Sequence, residues 1–401
     1  MSPPPHRAVF VSCIAAMRTT DLALAFLAVR SRLTWLGRRK GVHGTIRAGE
    51  RSHILIVDPA SDVYQELETT GYQVTAAHDL SDTELEQILP AFDAVVVRSA
   101  NRVTRSMLVA SPRVAVVGRA GSGVDNIDLK AALELGVPVV NAPTGNAGSV
   151  AELVVGLMLG VSRKISPAHD TTRRGEWAKS RFTGRTLNGK TLGIIGFGSV
   201  GIALARLAMA FGMVVMIGEG PSPSPASGGA NGADPSASKR AAVAREVGVT
   251  LPPVGLDELL SKSDFLSLHC PLTADTKGLI SERELALMKP SAVVINTARG
   301  GVVDEKALLR SLEQGRLGGA ALDVFECERS PLQNHVISLC RLPNVLCTPH
   351  IGGSTEEAGG RVLAEVCRSV TEFLEGTLQP SKIVNGAPDT ALRLARLNNS
   401  S

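Results

Sequence analysis

The sequence is poor in aromatic residues, and its cysteines show no paired spacing. Phe, Trp and Tyr together make up 3% of the 401 residues, whereas Ala, Val, Leu and Gly are common. This composition favours buried parallel strands flanked by helices over an antiparallel sandwich. The six cysteines show no CxxC pattern, which argues against a disulfide framework or a zinc site and indicates reduced thiols in a cytosol-like compartment.

Charge is unevenly distributed, although the net charge is only +4. Residues 1–51 contain nine Lys or Arg and two acidic residues, whereas the rest of the chain contains 33 basic and 36 acidic residues. The near-neutral part of the chain after residue 51 lacks the excess of basic residues that is typical of a nucleic-acid-binding surface. The apolar stretches at 8–17 and 22–29 fall short of the roughly 18 residues that span a bilayer. An Arg-rich, acid-poor leader is typical of an organelle transit peptide; a disordered tail or translated upstream sequence is the alternative.

Two alternations of short apolar strands and helices follow the leader. The first occupies 52–147 and the second 148–349, and each is typical of a doubly wound parallel sheet with helices on both faces. We expect residues 350–386, which include a helix at 354–376, to return to the first domain, and residues 387–401 to form a tail. The sequence therefore predicts an α/β protein of two domains, with a ligand in the cleft between them.

Local signals refine this division. Ser81 with Glu84, and Ser149 with Glu152, have the spacing of capping boxes, so each pair predicts a helix start. Residues 220–238 are a Pro/Gly/Ser/Ala stretch without the means to build a core. We predict that this stretch forms an exposed, disordered loop.

A glycine fingerprint opens the second domain. Gly196, Gly198 and Gly201 have G-x-G-x-x-G spacing after an apolar strand, in the sequence GIIGFGSVG. This pattern is typical of a turn that holds a dinucleotide pyrophosphate at a helix N-terminus. Glu219 ends the next strand, where a carboxylate would bind the ribose hydroxyls and repel a 2′-phosphate. The two signals predict NAD as the cofactor, in preference to NADP.

Three polar residues follow later strands of the same domain. Arg299 ends AVVINTAR, Glu328 follows GGAALDVF, and His350 ends VLCTPH before Gly352 and Gly353. Because the carboxyl ends of parallel strands form one ligand-facing edge, we expect these side chains to lie beside the cofactor turn. Each of them alone would be an ordinary structural or solvated residue.

Several motifs in order resemble those of the D-2-hydroxyacid dehydrogenases, and within that family the branch that acts on 3-phosphoglycerate. The similarity runs from about residue 53 to residue 386. It is carried by RAGSGVDNID (119–128), GFGSVG, SLHCPLT (267–273), NTARGGVVDE (296–305), AALDVFECE (320–328) and TPHIGGSTEEA (348–358).

The resemblance implies a split, flavodoxin-like substrate domain and an inserted Rossmann NAD domain. It assigns Arg299 to the substrate carboxylate and carbonyl oxygen, His350 to proton exchange, and Glu328 to pairing with that histidine. A histidine titrates near working pH and suits this task, while a guanidinium fork holds a carboxylate in a fixed orientation. The implied reaction is the NAD-dependent oxidation of 3-phospho-D-glycerate to 3-phosphohydroxypyruvate, the first step of the phosphorylated serine pathway.

The remaining site residues come from matching the family's motifs. The substrate residues implied are Arg98 and Arg119 for the 3-phosphate, and Ser122, Gly123, Val124 and Asn146 for the carboxylate. The cofactor residues implied are Ser122, Ser199, Val200, Cys270, Thr297, Ala298 and Asp323, besides Arg299, His350, Gly352 and Gly353 and the fingerprint glycines with Glu219. No metal site is expected.

Two alternatives stay open at this point. One is a glyoxylate or hydroxypyruvate reductase of the same fold, and the other is an NAD-sensing corepressor-like binding protein that keeps the same three polar residues. The resemblance also implies a homodimer or homotetramer. Many relatives carry a C-terminal serine-binding module of the ACT type, for which the residues after Ser354 are too few, so we expect insensitivity to L-serine.

Overall fold

The computed structural model describes residues 52–57, 67–218, 250–328 and 332–387. The leader, Glu219, the 220–238 loop and residues 388–401 lie outside the described residues. The chain divides into two compact units. The sequence predicted domain boundaries after residues 147 and 349, and in the structure the chain passes between the units after residues 140 and 367. The first unit comprises Met1–Arg119, Asp125–Val140 and Arg368–Ser401, and the second comprises Ala120–Val124 and Asn141–Cys367.

The first unit is built on a five-stranded sheet with the order β2-β1-β3-β4-β5. The pairings of β1 with β2, β1 with β3, and β3 with β4 are all parallel. This strand order is that of flavodoxin-like folds, so the predicted fold of this domain is confirmed. The strands are β1 (His53–Val57), β2 (Gln73–Ala77), β3 (Ala94–Val97), β4 (Val116–Arg119) and β5 (Val139–Asn141).

Short capped helices connect these strands. The predicted capping box is present at the first of them, where Ser81 Oγ accepts the Glu84 N–H and the Glu84 carboxylate accepts the Ser81 N–H. Thr104 and Asp128 cap the next two helices with a single bond each, because their side-chain oxygens accept the N–H groups of Met107 and Ala131. The helices are α1 (Asp82–Ile88), α2 (Arg105–Ala110) and α3 (Leu129–Glu134), with a 3₁₀ turn at Leu89–Ala91.

The second unit holds a seven-stranded sheet with the order β12-β11-β10-β9-β6-β7-β8. Every strand pairing in it is parallel. Six of the strands, β6 to β11, have the Rossmann order. The direction of strand addition reverses between β6 and β9, and β12 extends the edge beside β11. The strands are β6 (Thr191–Ile195), β7 (Val214–Gly218), β8 (Thr250–Val254), β9 (Phe265–Leu268), β10 (Val293–Asn296), β11 (Gly319–Leu322) and β12 (Val345–Cys347).

Strand β8 was not predicted from the sequence. It reads TLPPV, and two prolines argue against a strand because they cannot donate ladder hydrogen bonds. The strand lies at the edge of the sheet, beside β7 alone, and its register is irregular between Met216 and Gly218. An edge position tolerates prolines, which explains why the local signal misled.

Helices flank this sheet, and α4 is the one whose start was predicted from Ser149 and Glu152. Its predicted cap is wrong: the helix begins at Ala147 after Asn146, and Ser149 Oγ instead contacts Thr355 Oγ1 at 3.0 Å. No described helix is long and apolar enough to cross a membrane. The helices are α4 (Ala147–Ser162), α5 (Ile165–Arg173), α6 (Ser199–Ala210), α7 (Leu256–Lys262), α8 (Glu282–Leu287), α9 (Glu305–Glu313), α10 (Asn334–Arg341) and α11 (Glu356–Leu374), with 3₁₀ turns at Lys179–Phe182 and Pro380–Lys382.

The C-terminal segment belongs to the first unit from Arg368, whereas the sequence predicted a return from residue 350. Ile383 forms an antiparallel bridge with Val140, and the Val384 N–H donates to the Val139 carbonyl. The Asn385 side chain also bonds the start of β5 and the residues before it, since its Oδ1 accepts the Val139 N–H and its Nδ2 donates to the Val137 carbonyl. These bonds cover the β5 edge, which would otherwise offer unpaired backbone groups.

We expect Phe373→Ala to destabilise the first unit. Phe373 in α11 is 1% exposed and is among the largest fully buried side chains. Truncating such a ring leaves a cavity and costs about 3–5 kcal/mol. Phe211→Ala is the matched control, because Phe211 is 41% exposed. Denaturant unfolding followed by circular dichroism measures both, and equal losses for the two variants would contradict the packing described here.

Candidate active site

Five of the residues predicted to form the site follow the carboxyl ends of parallel strands in the second unit. Gly196 follows β6, Cys270 follows β9, and Arg299 follows β10. Glu328 and His350 follow β11 and β12. Because these strands are parallel neighbours, all five residues lie along one edge of the sheet.

The glycine turn has the geometry that a pyrophosphate site requires. Gly196 has a φ of +95°, and a side chain there would meet the backbone of His269 and Cys270 at 2.5–2.7 Å. Gly201 packs α6 on its strand so closely that a Cβ would lie 2.5 Å from the Gly196 carbonyl oxygen. Gly198 differs, because its added Cβ would meet nothing within 4 Å. The exposed Gly198 therefore leaves open space before the N–H groups of Ser199 and Val200, at the start of α6.

Burial sets the protonation of the residues beside this turn. Burial lowers the pKa of His269 to about 4, and its Nε2 lies 2.9 Å from Ser267 Oγ. Burial also raises the pKa of the Cys270 thiol to about 11. At neutral pH this part of the edge therefore presents a neutral imidazole and a protonated thiol.

Asn296 shapes the turn that carries Arg299, and the sequence analysis missed it. Its buried side chain donates to the Arg299 carbonyl at 2.9 Å and accepts the Ala298 N–H at 3.1 Å. The Arg299 Nη1 donates to the Ala298 carbonyl at 2.6 Å. Thr297 Oγ1 is buried without a hydrogen-bond partner among the described residues, so it is an available polar contact for a bound ligand.

Asp323 organises the loop that carries His350. Its side chain is 1% exposed, and it accepts hydrogen bonds from Thr348 Oγ1 at 2.6 Å and from the N–H groups of Ile351 and Gly352 at 2.9 and 2.8 Å. The His350 N–H donates to the Asp323 carbonyl at 2.8 Å. These bonds hold His350 at a φ of +55°, which is rare for a residue with a side chain.

His350 and Glu328 form the predicted pair. His350 Nδ1 lies 2.8 Å from Glu328 Oε2, and both side chains are partly exposed. The hydrogen bond to Glu328 raises the pKa of His350, although burial and the Arg299 charge oppose the shift. Burial would raise the pKa of Glu328, but the bond from His350 and the Arg299 charge bring it below its usual value. With Nδ1 engaged by the carboxylate, Nε2 is the atom available to exchange a proton.

Asn146 lies against the same loop. A Cβ on Gly353 would lie 2.8 Å from Asn146 Nδ2, so Gly353 admits that side chain, and Asn146 Oδ1 is buried without a partner among the described residues. Glu365 in α11 fixes the preceding turn, since its carboxylate accepts from Thr144 Oγ1 at 2.7 Å and from the Gly145 N–H at 2.8 Å. Sequence reasoning gave no role to Glu365.

Ser122 and Gly123 also belong to the second unit. Ser122 is exposed, and its carbonyl accepts a hydrogen bond from Asn141 Nδ2 at 2.6 Å, which fixes the turn.

Two further candidates, Arg98 and Arg119, lie in the first unit. Arg98 directly follows Val97, whose partner across β3 and β4 is Arg119. Both arginines therefore stand at the carboxyl ends of adjacent strands of one sheet. The Asn126 side chain holds the Arg98 carbonyl at 2.8 Å.

The described residues fit a dinucleotide. The open face at Gly198, the free start of α6 and the unpartnered Thr297 Oγ1 provide the space and polar groups that its pyrophosphate and amide require. The individual contacts of Ala298, Asp323, Gly352 and the other cofactor residues stay predictions, as does the ribose role of Glu219.

Comparison with known proteins identifies the family. The sequence profile of the "D-isomer specific 2-hydroxyacid dehydrogenase, NAD binding domain" matches residues 155–352. Hydroxypyruvate reductase of Thermotoga maritima is 40% identical over 302 residues, which are 75% of this chain and 91% of that protein. This chain belongs to the D-isomer-specific 2-hydroxyacid dehydrogenase family.

Other members of this 2-hydroxyacid dehydrogenase family extend the comparison. D-3-phosphoglycerate dehydrogenase of Methanocaldococcus jannaschii is 43% identical over 326 residues, which are 81% of this chain but 58% of that protein. The chain thus spans little more than half the length of this relative. The crystal structure of Aquifex aeolicus D-lactate dehydrogenase with NAD and lactic acid superposes with a TM-score of 0.69 at 28% identity, covering 83% of this chain and 99% of that one.

The second and third glycines of the fingerprint give contrasting predictions. Gly198→Ala should leave thermal stability unchanged and weaken NAD binding about tenfold, because its methyl group enters only the space that the pyrophosphate needs. Gly201→Ala should lower stability by about 1–3 kcal/mol, because its methyl group collides with the Gly196 carbonyl. Thermal shift and NADH fluorescence titration measure both effects. A destabilised Gly198→Ala with normal affinity would contradict this assignment.

Glu328→Gln should lower the pKa of His350. The substitution removes the negative charge that favours the imidazolium, so His350 should lose its proton at lower pH than in the unmodified protein. NMR titration of the histidine ring protons measures the change, with His350→Gln assigning the signal. Glu84→Gln, at a helix cap of the first unit, is the control. An unchanged His350 titration in Glu328→Gln would show that the pair is not coupled.

Proposed function

We propose that this protein oxidises 3-phospho-D-glycerate to 3-phosphohydroxypyruvate with NAD, the first step of phosphorylated serine biosynthesis. The observation that carries the proposal is the His350–Glu328 pair beside Arg299 on the edge that begins with the glycine turn. A 2-hydroxy acid offers a carboxylate for a guanidinium and a hydroxyl for a histidine base. NAD, when bound, supplies the acceptor for the hydride that leaves C2.

His350 accepts the hydroxyl proton in this proposal. Its Nε2 removes the proton as C2 loses hydride, and the Glu328 carboxylate at Nδ1 stabilises the imidazolium that forms. In the reductive direction the same imidazolium returns the proton. Arg299 holds the substrate carboxylate and polarises the C2 oxygen through its planar fork. Asn146 and the Ser122–Gly123–Val124 turn complete the carboxylate site.

Arg98 and Arg119 select the phosphorylated substrate. They stand on adjacent strand ends of the first unit, so they can offer paired cationic donors, which a dianionic phosphate requires. The name of the Methanocaldococcus jannaschii relative supports this choice of substrate. A homodimer or homotetramer stays a prediction from the family resemblance.

Reduction of hydroxypyruvate or glyoxylate is the second candidate. It is favoured by the Thermotoga maritima relative, which this chain covers over 91% of its length. Both reactions use the same acid–base pair, and they differ in whether the substrate carries a phosphate. The distinction therefore rests on the arginines of the first unit.

The decisive experiment compares substrates in three variants. Arg98→Ala should lower kcat/KM for 3-phosphoglycerate about 10- to 100-fold, the loss of a charge-assisted hydrogen bond, and leave glyoxylate reduction nearly unchanged. His350→Ala should lower turnover of both substrates about 10²–10⁴-fold while NAD still binds. Arg102→Ala, at an exposed arginine nearby, is the control and should match the unmodified protein.

Each other outcome has a definite meaning. A higher kcat/KM for glyoxylate or hydroxypyruvate than for 3-phosphoglycerate, with no effect of Arg98→Ala, would support the reductase. NAD binding without turnover of any of these acids would support a binding protein. Full activity of His350→Ala would contradict the mechanism.

A further inference from the structure

The loop that carries Glu328 is fixed at two adjacent backbone N–H groups. The Phe325 N–H donates to Glu328 Oε1 at 3.4 Å, while Glu328 Oε2 contacts His350 Nδ1. The next N–H, that of Glu326, donates to Glu305 Oε1 at 2.6 Å. The Glu328 carboxylate therefore bonds the N–H of one peptide unit, and a second carboxylate holds the adjacent Phe325–Glu326 peptide unit.

Glu305 links this loop to another helix. It is the first residue of α9 and is 6% exposed, and its second oxygen, Oε2, lies 2.9 Å from Nε2 of His335 in α10. The His335 side chain is 14% exposed. A carboxylate cannot donate, so His335 must carry its proton on Nε2. Burying the Glu305 carboxylate is costly unless its oxygens are hydrogen-bonded, and here each oxygen has a partner.

The packing around this peptide leaves it little room to relax. A Cβ on Gly300 would lie 1.9 Å from both the carbonyl carbon and the carbonyl oxygen of Phe325. The Arg299 turn thus lies directly against the loop, on one flank of the peptide that Glu305 holds. A displacement of the Phe325–Glu326 peptide would move both the Glu328 carboxylate and the turn after Arg299.

We propose that Glu305 and His335 are a positioning pair that holds the Glu328 loop against His350. The inference rests on the proposed roles of Glu328 and His350 in proton exchange. Neither member of the pair is expected to touch substrate or cofactor. Their effect passes through the Glu326 N–H to Glu328 and from there to His350.

The pair should act on His350 rather than only on stability. The charged groups that act on His350 are Glu328, Asp323 and Arg299, and the bond to Glu328 is the largest influence raising its pKa. If the loop is released, that bond weakens and His350 deprotonates at lower pH. The neutral imidazole is the base, so kcat/KM for oxidation falls on the acidic side of its pH profile as His350 becomes protonated. With a lower His350 pKa, that fall should occur at lower pH.

A matched control lies at the opposite edge of the same sheet. Asp264 precedes β9, accepts the Thr191 N–H at 2.9 Å and contacts Lys289 Nζ at 3.0 Å. Like Glu305, it joins a backbone N–H to a basic side chain. Its bonds lie at the amino ends of β6 and β9, so its loss should cost stability without touching the His350 loop.

The experiment compares Glu305→Ala, His335→Ala, their double variant and Asp264→Ala in the full chain. We expect Glu305→Ala to lower kcat/KM for 3-phosphoglycerate by about 10- to 100-fold and to lower the His350 pKa by NMR titration. The double variant should lose little more than Glu305→Ala, because the two residues act as a unit. Glu305→Gln keeps an acceptor for the Glu326 N–H and should stay within about threefold of the unmodified protein.

Two outcomes would overturn the inference. One is that Glu305→Ala and His335→Ala lose thermal stability, as Asp264→Ala does, with an unchanged His350 titration and pH profile. The other is additive losses in the double variant. If Glu305→Ala does not fold, His335→Ala carries the same test. Because the NMR titration needs no substrate, it tests the pair even if 3-phosphoglycerate is not oxidised, so failure of the proposed function is distinguishable.

Discussion

The buried carboxylate of Asp323 is the constraint on which the candidate site depends. It sits at the end of β11, where its oxygens accept three hydrogen bonds from the Thr348–Gly352 segment. A left-handed backbone at His350 costs about 1–2 kcal/mol for a residue with a Cβ. The bonds to Asp323 offset that cost and fix the direction in which the imidazole leaves the strand. From this held loop, His350 reaches the Glu328 carboxylate.

Two histidines on the same sheet edge show how local environment shifts the pKa of one residue type in opposite directions. His269 is surrounded by protein and lacks a carboxylate partner among its described contacts, so burial lowers its pKa and keeps it neutral. His350 is more open and bonds Glu328, so its pKa is raised. A group that exchanges protons near neutral pH needs the second environment. The proposed Glu305–His335 pair positions the Glu328 carboxylate, and that carboxylate in turn raises the pKa of His350.

Much of this arrangement could be predicted from local patterns. The apolar runs predicted the two alternations of strands and helices, and the capping box at Ser81 was correct. Glycine spacing after β6 located the turn, and three polar residues at strand ends fell on one edge. The failures have physical causes. Strand β8 contains two prolines that only an edge position tolerates, and Ser149, which fits a capping pattern, is instead turned toward Thr355 within α4.

The sequence alone determined the α/β class and the glycine fingerprint, and it singled out Arg299, Glu328 and His350 as candidate site residues. These follow from periodicity and from motifs, which are local along the chain. Only the tertiary structure decided what supports them: Asn296, Asp323, Glu365 and Glu305 each bond backbone groups that lie apart in sequence or across a turn. A buried carboxylate or amide carries no periodic signal, since its partner is set by how loops meet at the sheet edge, and that meeting exists only in the folded chain.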